Sequence, residues 1–258
     1  MSSTIRPNDV RQNLAQDSSK TKEVRMFDRV VQRLGAASGV LYVVLLIIGG
    51  NIRDSGEAST APEGVAQAFV QAAANQTTFT IAWILEVLAF LCFLCFLGYL
   101  CQALRRAEGD HGWLATAAFG GGVMSIAIKL GSAAPIFAAF HRANESLDPQ
   151  IARALQDMND ASFFLSFYPL VVLLGAAAIV AIRYGALPRW LGWMAAVLAI
   201  ALMTGATVGV IAGVEDAGLP FLLFTLWIVL TSIVLTRRVG QRSLVVNSAS
   251  VSLPPAAP

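Results

Sequence analysis

Long runs without charge dominate this chain. Residues 190–214, "WLGWMAAVLAIALMTGATVGVIAGV", hold no charged side chain in 25 consecutive positions. A helix needs about 20 apolar residues to cross about 30 Å of hydrocarbon. Six such runs occur: Val31–Gly50, Thr78–Leu104, Trp113–Phe140, Ala161–Ile182, Trp190–Val214 and Pro220–Leu235. A transmembrane β-barrel would instead show alternating segments of about ten residues. Only 13% of the residues are charged, against about 25% in soluble domains. The fold class is therefore all-α: a polytopic transmembrane six-helix bundle. Three segments follow from the composition: a polar tail with a basic amphipathic helix (1–33), the six-span domain (34–236), and an unstructured tail (237–258) ending "SASVSLPPAAP".

The distribution of Lys and Arg sets the expected orientation. With the amino terminus inside, the inner segments hold fourteen of the 18 basic residues and the outer loops hold Arg53, Arg142 and Arg153. The last one, Lys129, falls inside the third run. Both termini are expected on the cytoplasmic side of a bacterial plasma membrane. The hydrophilic amino terminus lacks the early apolar core of a signal peptide. Between Glu23 and Leu34, Arg25, Arg29 and Arg33 share one helical face, opposite Phe27, Val30, Val31 and Leu34. That pattern fits a helix on an anionic leaflet, or equally the inner end of the first span.

Two outer loops carry helix signals. In "STAPEGVAQAFVQAAANQ", Pro62 and Glu63 suit a first turn, and Val65, Phe69 and Ala73 form an apolar stripe. In "LDPQIARALQDMND", Asp148 is the expected N-cap and Pro149 the first helical residue, with Ile151, Leu155 and Met158 as the apolar face. Short amphipathic helices are expected in both loops.

On the other side, "LPRWLGW" follows a tight turn at Gly185, the second run ends "FLGYLCQALRR", and the last closes "LTRR". With these interface anchors the chain resembles a bacterial family of six-span integral membrane proteins, a domain of unknown function, over roughly Leu34 to Arg238. The resemblance implies a fold and brings no activity, cofactor or catalytic residue. Three spans followed by three could form an inverted repeat, but loop lengths differ between the halves and no motif is shared.

A charge at mid-bilayer costs about 2.5–3.5 kcal/mol on insertion scales, so Lys129 needs a partner, a wet cavity or a neutral state. The second run carries the other intramembrane charge, Glu86. Counted from the outer ends, Glu86 lies roughly 10 Å deep and Lys129 roughly 16 Å, at 1.5 Å per residue. Adjacent antiparallel spans would bring them together as an ion pair. Ser125 and Ser132 share the Lys129 face. Gly120, Gly121 and Gly122 let a neighbouring backbone approach, and Pro135 is expected to kink the outer end of the third span. Asn159, Ser162 and Ser166 on the fourth span, Tyr42 on the first, and Thr204 and Thr207 on the fifth supply further polar groups. Converging, they would form a small polar pocket open to the outside. Such a set either locks helix packing or binds a ligand or relays ions.

Weaker constellations point nowhere firm. Ser125 and Lys129 could act as a serine–lysine dyad only if the lysine were neutral, which a carboxylate partner opposes. Cys92 and Cys95 match Cys-x-x-Cys inside an apolar helix, where cysteine behaves as a small hydrophobe. His111 and His141 stand at opposite ends of the third span, too far apart to ligate one haem between them. Asp157 with Asp160, and Glu215 with Asp216, read as solvated helix ends. No phosphate-binding, zinc-protease or serine-hydrolase motif is present. The expectation is a non-enzymatic module without cofactor or metal. It would bind a small molecule or a membrane-protein partner through its outer half, and homo-oligomers fit its Gly-rich faces. The net charge of +2 gives no basis for a nucleic-acid partner. The alternative is a small transporter or proton-coupled permeation unit built on Glu86 and Lys129.

Overall fold

The computed structural model describes residues 30–52, 61–109, 112–143, 147–212 and 218–251. Most of the expected Glu23–Leu34 helix lies outside these residues, as do His111, Glu215 and Asp216. In chain order the helices are α1 (Val30–Ile52), α2 (Pro62–Ala74), α3 (Gln76–Glu108), α4 (Trp113–Arg142), α5 (Pro149–Leu165), α6 (Phe167–Tyr184), α7 (Arg189–Ala212) and α8 (Gly218–Val251). Among the described residues there is no strand. Six helical stretches are long and apolar enough to cross a membrane: α1, α3, α4, α5 with α6, α7, and α8 as far as Arg238. This is the six-helix bundle expected from the apolar runs.

The most deeply buried element is α6, where Phe167, Leu173, Leu174, Ala177, Val180 and Ala181 are almost wholly enclosed. Its sequence, "FYPLVVLLGAAAIVAIRY", is apolar on all sides, as a central helix must be. It packs mainly on α7 and α4. Small residues set those distances. A Cβ added at Gly121 of α4 would lie 2.5 Å from the Pro169 carbonyl oxygen, and one at Gly192 of α7 would lie 2.9 Å from Ala181 Cβ. Of the three consecutive glycines, Gly121 meets α6, Gly122 meets the Leu97 side chain of α3, and Gly120 has nothing close. The Gly185 turn has φ +72, and its N–H closes on the Ala181 carbonyl at 3.2 Å, ending α6 as expected.

Gly35, Gly39 and Gly49 bring α1 against α3, and Gly39 also against α8. Tyr42 stacks on Phe93 of α3 at 4.7 Å. Ser232 of α8 donates its hydroxyl to the Ala36 carbonyl. The Gly35-x-x-x-Gly39 spacing is the small-residue pattern that lets membrane helices touch.

At one end of the bundle α2 and α5 build a second, smaller core. Val65, Ala66 and Phe69 of α2 meet Ala139 of α4, Ala143 and Ala152 of α5. Pro62 stands in the first turn of α2, and Asp148 Oδ1 accepts the N–H groups of Gln150 (2.8 Å) and Ile151 (3.3 Å), as the sequence indicated.

Three features differ from the sequence reading. First, α5 does not turn Ile151 and Met158 inward. They are 49% and 57% exposed, while Ala152 is fully buried. The inward face runs through Ala152, which packs in one cluster with Ala139 and Ala143, and through Leu155 and Asn159. Second, the fourth span is two helices. Pro169 has no N–H to donate to the Leu165 carbonyl, and the helix breaks at Ser166. Pro135 lies inside α4, which runs on to Arg142. Third, α8 stays helical to Val251, past the Arg237 boundary of the expected unstructured tail. The first proline after that boundary is Pro254, so the boundary separates apolar from polar sequence and not helix from coil.

Candidate functional site: a cleft between α3, α4 and α5

The cleft lies at the end of the bundle where α2 and α5 pack. Phe79, Trp83, Glu86 and Phe90, spaced by three and four residues along α3, form one wall. Lys129, Ala133, Ile136 and Phe137 of α4 form the other, and Asn159 of α5 closes the third side. The space is about 450 Å³ counted out to open solvent, and the part enclosed by the protein has room for about one or two water molecules. Glu86 and Lys129 therefore share one cavity, on adjacent antiparallel helices.

The aromatic walls hold their own geometry. Phe79 stacks on Phe140 at 4.2 Å, and Trp83 meets Phe137 edge to face at 4.5 Å. Such pairs are worth about 0.5–1.5 kcal/mol beyond their buried area. Ile136 also packs on the α2 cluster, so α2 supports this wall from behind.

The Lys129 ammonium lies 4.8 Å from the centre of the Phe163 ring. It thus points toward α5, and a cation over a ring face is stabilised by about 0.5–2 kcal/mol. Ser132, buried, sits 2.7 Å from the Lys129 carbonyl and 3.3 Å from Asn159 Oδ1. Asn159 Nδ2 donates to Asp160 Oδ1 at 3.3 Å, and Gln156 Nε2 donates to the same oxygen at 2.9 Å. A polar line thus runs from Gln156 through Asp160 and Asn159 to Ser132, ending at the cleft.

Glu86, Lys129 and Asn159 line the cleft, and Ser132 touches it through Asn159. Ser125 is buried farther along α4 and is not among the lining residues. Ser162 donates to the Met158 carbonyl within α5 (2.8 Å), and Ser166, at the break after α5, donates to the Phe163 carbonyl (2.7 Å). Thr204 and Thr207 likewise bond to the Ile200 and Met203 carbonyls of α7. Tyr42 does not line the cleft but is buried against Phe93 on the α1 side of α3, close enough to Glu86 to feel its charge. The sequence reading passed over Asp160 as a solvated helix end; it is half-buried and bonded to the cleft residue Asn159. Its spacing of four from Gln156 was the available signal.

A family model matches residues 37–237, which takes in most of α1, the four spans that follow, α8 as far as Arg237, and every residue of the cleft. The chain belongs to the DUF4386 family. DUF4386 is a domain of unknown function, so membership confirms the resemblance seen in the interface motifs and assigns no chemistry. No curated protein and no solved structure matches the chain. The cleft of this DUF4386 chain is accordingly read from its own residues.

Proposed function

We infer that this is a non-catalytic binding module of the bacterial plasma membrane, which holds a small ligand in the cleft between α3, α4 and α5. One observation carries the reading: Glu86, Lys129 and Asn159 converge on a single aromatic-walled cavity. Ionisable groups within membrane spans are costly there, and those that face a cavity are candidates for ligand or ion sites. Pockets with mostly apolar walls and a few convergent polar groups suit small molecules. Nucleophile, base and oxyanion donors do not come together in it, because Ser125, the nucleophile of the serine–lysine alternative, stands apart from the cleft.

The cleft opens on the outer side in this reading. Charge supports that orientation. Arg33, Arg105, Arg106, Arg183, Arg189, Arg237 and Arg238 gather at the opposite end of the described bundle, whereas Arg142 and Arg153 are the described arginines at the cleft end. Such an excess marks the cytoplasmic face.

The test is native mass spectrometry of the protein released from its own membranes. A small molecule that copurifies with wild type and is lost in Glu86→Gln and Lys129→Gln, both still folded, is the expected result. A protein that carries no such molecule, or keeps it in both variants, removes the reading. The second reading is a transporter, favoured by the polar line from Gln156 to Ser132. Flux in proteoliposomes that Glu86→Gln abolishes without unfolding would put transport ahead.

A further inference from the structure

At the end of the bundle opposite the cleft, the turn between α6 and α7 gathers arginines from three helices. Arg183 stands in the last turn of α6, and Arg189 is the first residue of α7. Ala186 and Leu187 between them are buried and fix the turn in the core, while both arginines are exposed. The Arg183 guanidinium lies 5.8 Å from the centre of the Tyr184 ring. From α8, Arg238 donates to the Ala186 carbonyl. Trp227 Nε1, one turn and more before it, donates to the Leu191 carbonyl in the first turn of α7 at 3.1 Å. These two bonds hold α8 against the turn, and Arg237 is exposed beside Arg238.

The chemistry there has one sign. In sequence, neither 161–214 nor 217–258 contains an Asp or a Glu, so α6, α7 and α8 bring five arginines and no carboxylate. The other segments that join the bundle at this end do not reverse the balance. The α3–α4 connection sets Arg105 and Arg106 against Glu108, which is buried and bonded to α4, and Asp110, which lies outside the described residues. Residues 1–29, which lead into α1, hold six basic and four acidic residues in sequence. With Arg33, the whole end carries fourteen basic residues against six acidic ones, the segments outside the described residues included. Beyond Arg189, the same face of α7 continues through Trp193, Val197 and Ile200, all exposed, at spacings of four, four and three. An arginine, an interfacial tryptophan and an apolar stripe thus follow one another along a single helix face. Guanidinium groups suit phosphate oxygens, and basic sites between span ends suit lipid headgroups. A zwitterionic headgroup brings an ammonium with its phosphate, and these three helices offer that ammonium no carboxylate.

We propose that the α6–α7 turn and the adjoining part of α8 form a site for an anionic glycerophospholipid of the neighbouring leaflet. Arg183 and Arg189 hold its phosphate, and one acyl chain lies along Trp193, Val197 and Ile200. Arg238 keeps the turn in place, and Arg237 adds to the positive field. The site stands whether or not the cleft binds a ligand.

The test is native mass spectrometry of the full chain in detergent, titrated with dioleoyl phosphatidylglycerol and dioleoyl phosphatidylcholine, which share their acyl chains. The anionic lipid should bind about tenfold or more tighter. Arg183→Gln combined with Arg189→Gln should bring it close to the level of the choline lipid. Arg33→Gln combined with Arg106→Gln removes the same charge from other helices at this end and should change binding by about twofold at most. Equal binding of the two lipids by wild type overturns the proposal. Equal losses in the two double variants also overturn it, because a diffuse field and not a site would then attract the lipid, as does a folded Arg183→Gln, Arg189→Gln protein that binds like wild type. Glycerol 3-phosphate in large excess should leave the lipid bound; if it displaces the lipid, the occupant is a free phosphate ester. If the first double variant does not fold, Arg189→Gln alone, expected to weaken the anionic lipid by about threefold or more, takes its place in the comparison.

Discussion

The carboxylate of Glu108, in the last turn of α3, accepts the backbone N–H of Leu114 at 3.1 Å through one oxygen. The other oxygen accepts that of Ala115 at 3.0 Å. Those donors belong to the first turn of α4, which has no capping side chain of its own because Gly112, at φ +51, occupies the N-cap position. Glu108 is only 8% exposed, and it meets a helix end whose dipole favours a negative charge. One side chain thereby joins two spans at the arginine-rich end of the bundle.

Truncating that side chain leaves two N–H groups without acceptors. Glu108→Ala should lower stability by about 1–3 kcal/mol. Glu108→Gln, which keeps one acceptor oxygen, should lose less. Thermal unfolding in detergent ranks the variants; equal midpoints for wild type and Glu108→Ala would show that solvent replaces the cap.

Gly39 makes a second prediction. A Cβ built there would stand 2.5 Å from Ser232 Oγ and 2.7 Å from Phe96 Cδ2. Gly39→Ala therefore forces α1 away from α3 and α8, with a cost of about 1–3 kcal/mol. Ser232→Ala removes the nearest obstacle and also the bond to Ala36. The double variant should then lose less than the sum of the two single losses, because Gly39→Ala alone already disturbs that bond. Strict additivity in an unfolding cycle would mean that the two helices do not meet as described.

The Glu86 and Lys129 pairing is tested by exchange. Glu86→Lys or Lys129→Glu alone puts like charges into one cleft and should reduce folded yield. The expected loss is less than the about 3–5 kcal/mol for breaking a fully buried pair, since both residues are half-buried. Combining the swaps should restore most of that loss. The remainder arises because K129E sets a carboxylate near Asp160, and adding Asp160→Asn should recover it. Fluorescence-detected size exclusion reads all four proteins; a double swap no better than either single swap would separate the two residues.

How much was legible in the sequence follows from the range of each force. Span number, the Asp148–Pro149 start and the Gly185 stop depend on local chemistry, and each could be read from a few adjacent residues. The meeting of Glu86 and Lys129 in one cleft needed only that consecutive spans be neighbours. The Gln156–Asp160 bond was legible from its spacing of four, but the link from Asp160 through Asn159 to Ser132 joins α5 to α4 and could not be read from one helix. The inward turn of Ala152 over Ile151 and the seat of Gly39 against Ser232 were hidden for the same reason. Both depend on contacts between segments 13 to 193 residues apart, and no periodicity within one helix records the shape of its neighbour.

Orientation is the last prediction, and it rests on charge alone. The arginine-rich end should face the cytoplasm, and the cleft end with α2 and α5 should face outward. Asp157 on α5 and Arg106 on α3 are both exposed, at opposite ends of the bundle. The native thiols complicate labelling little: Cys92 and Cys101 are half-buried, and Cys95 is exposed in the middle of α3, where a charged reagent has no access through lipid. With those three changed to Ser, Asp157→Cys in intact cells should react with a membrane-impermeant maleimide. Arg106→Cys should react only after the membrane is opened. Maleimide reaching position 106 first, with position 157 protected, would invert the topology and turn the cleft toward the cytoplasm.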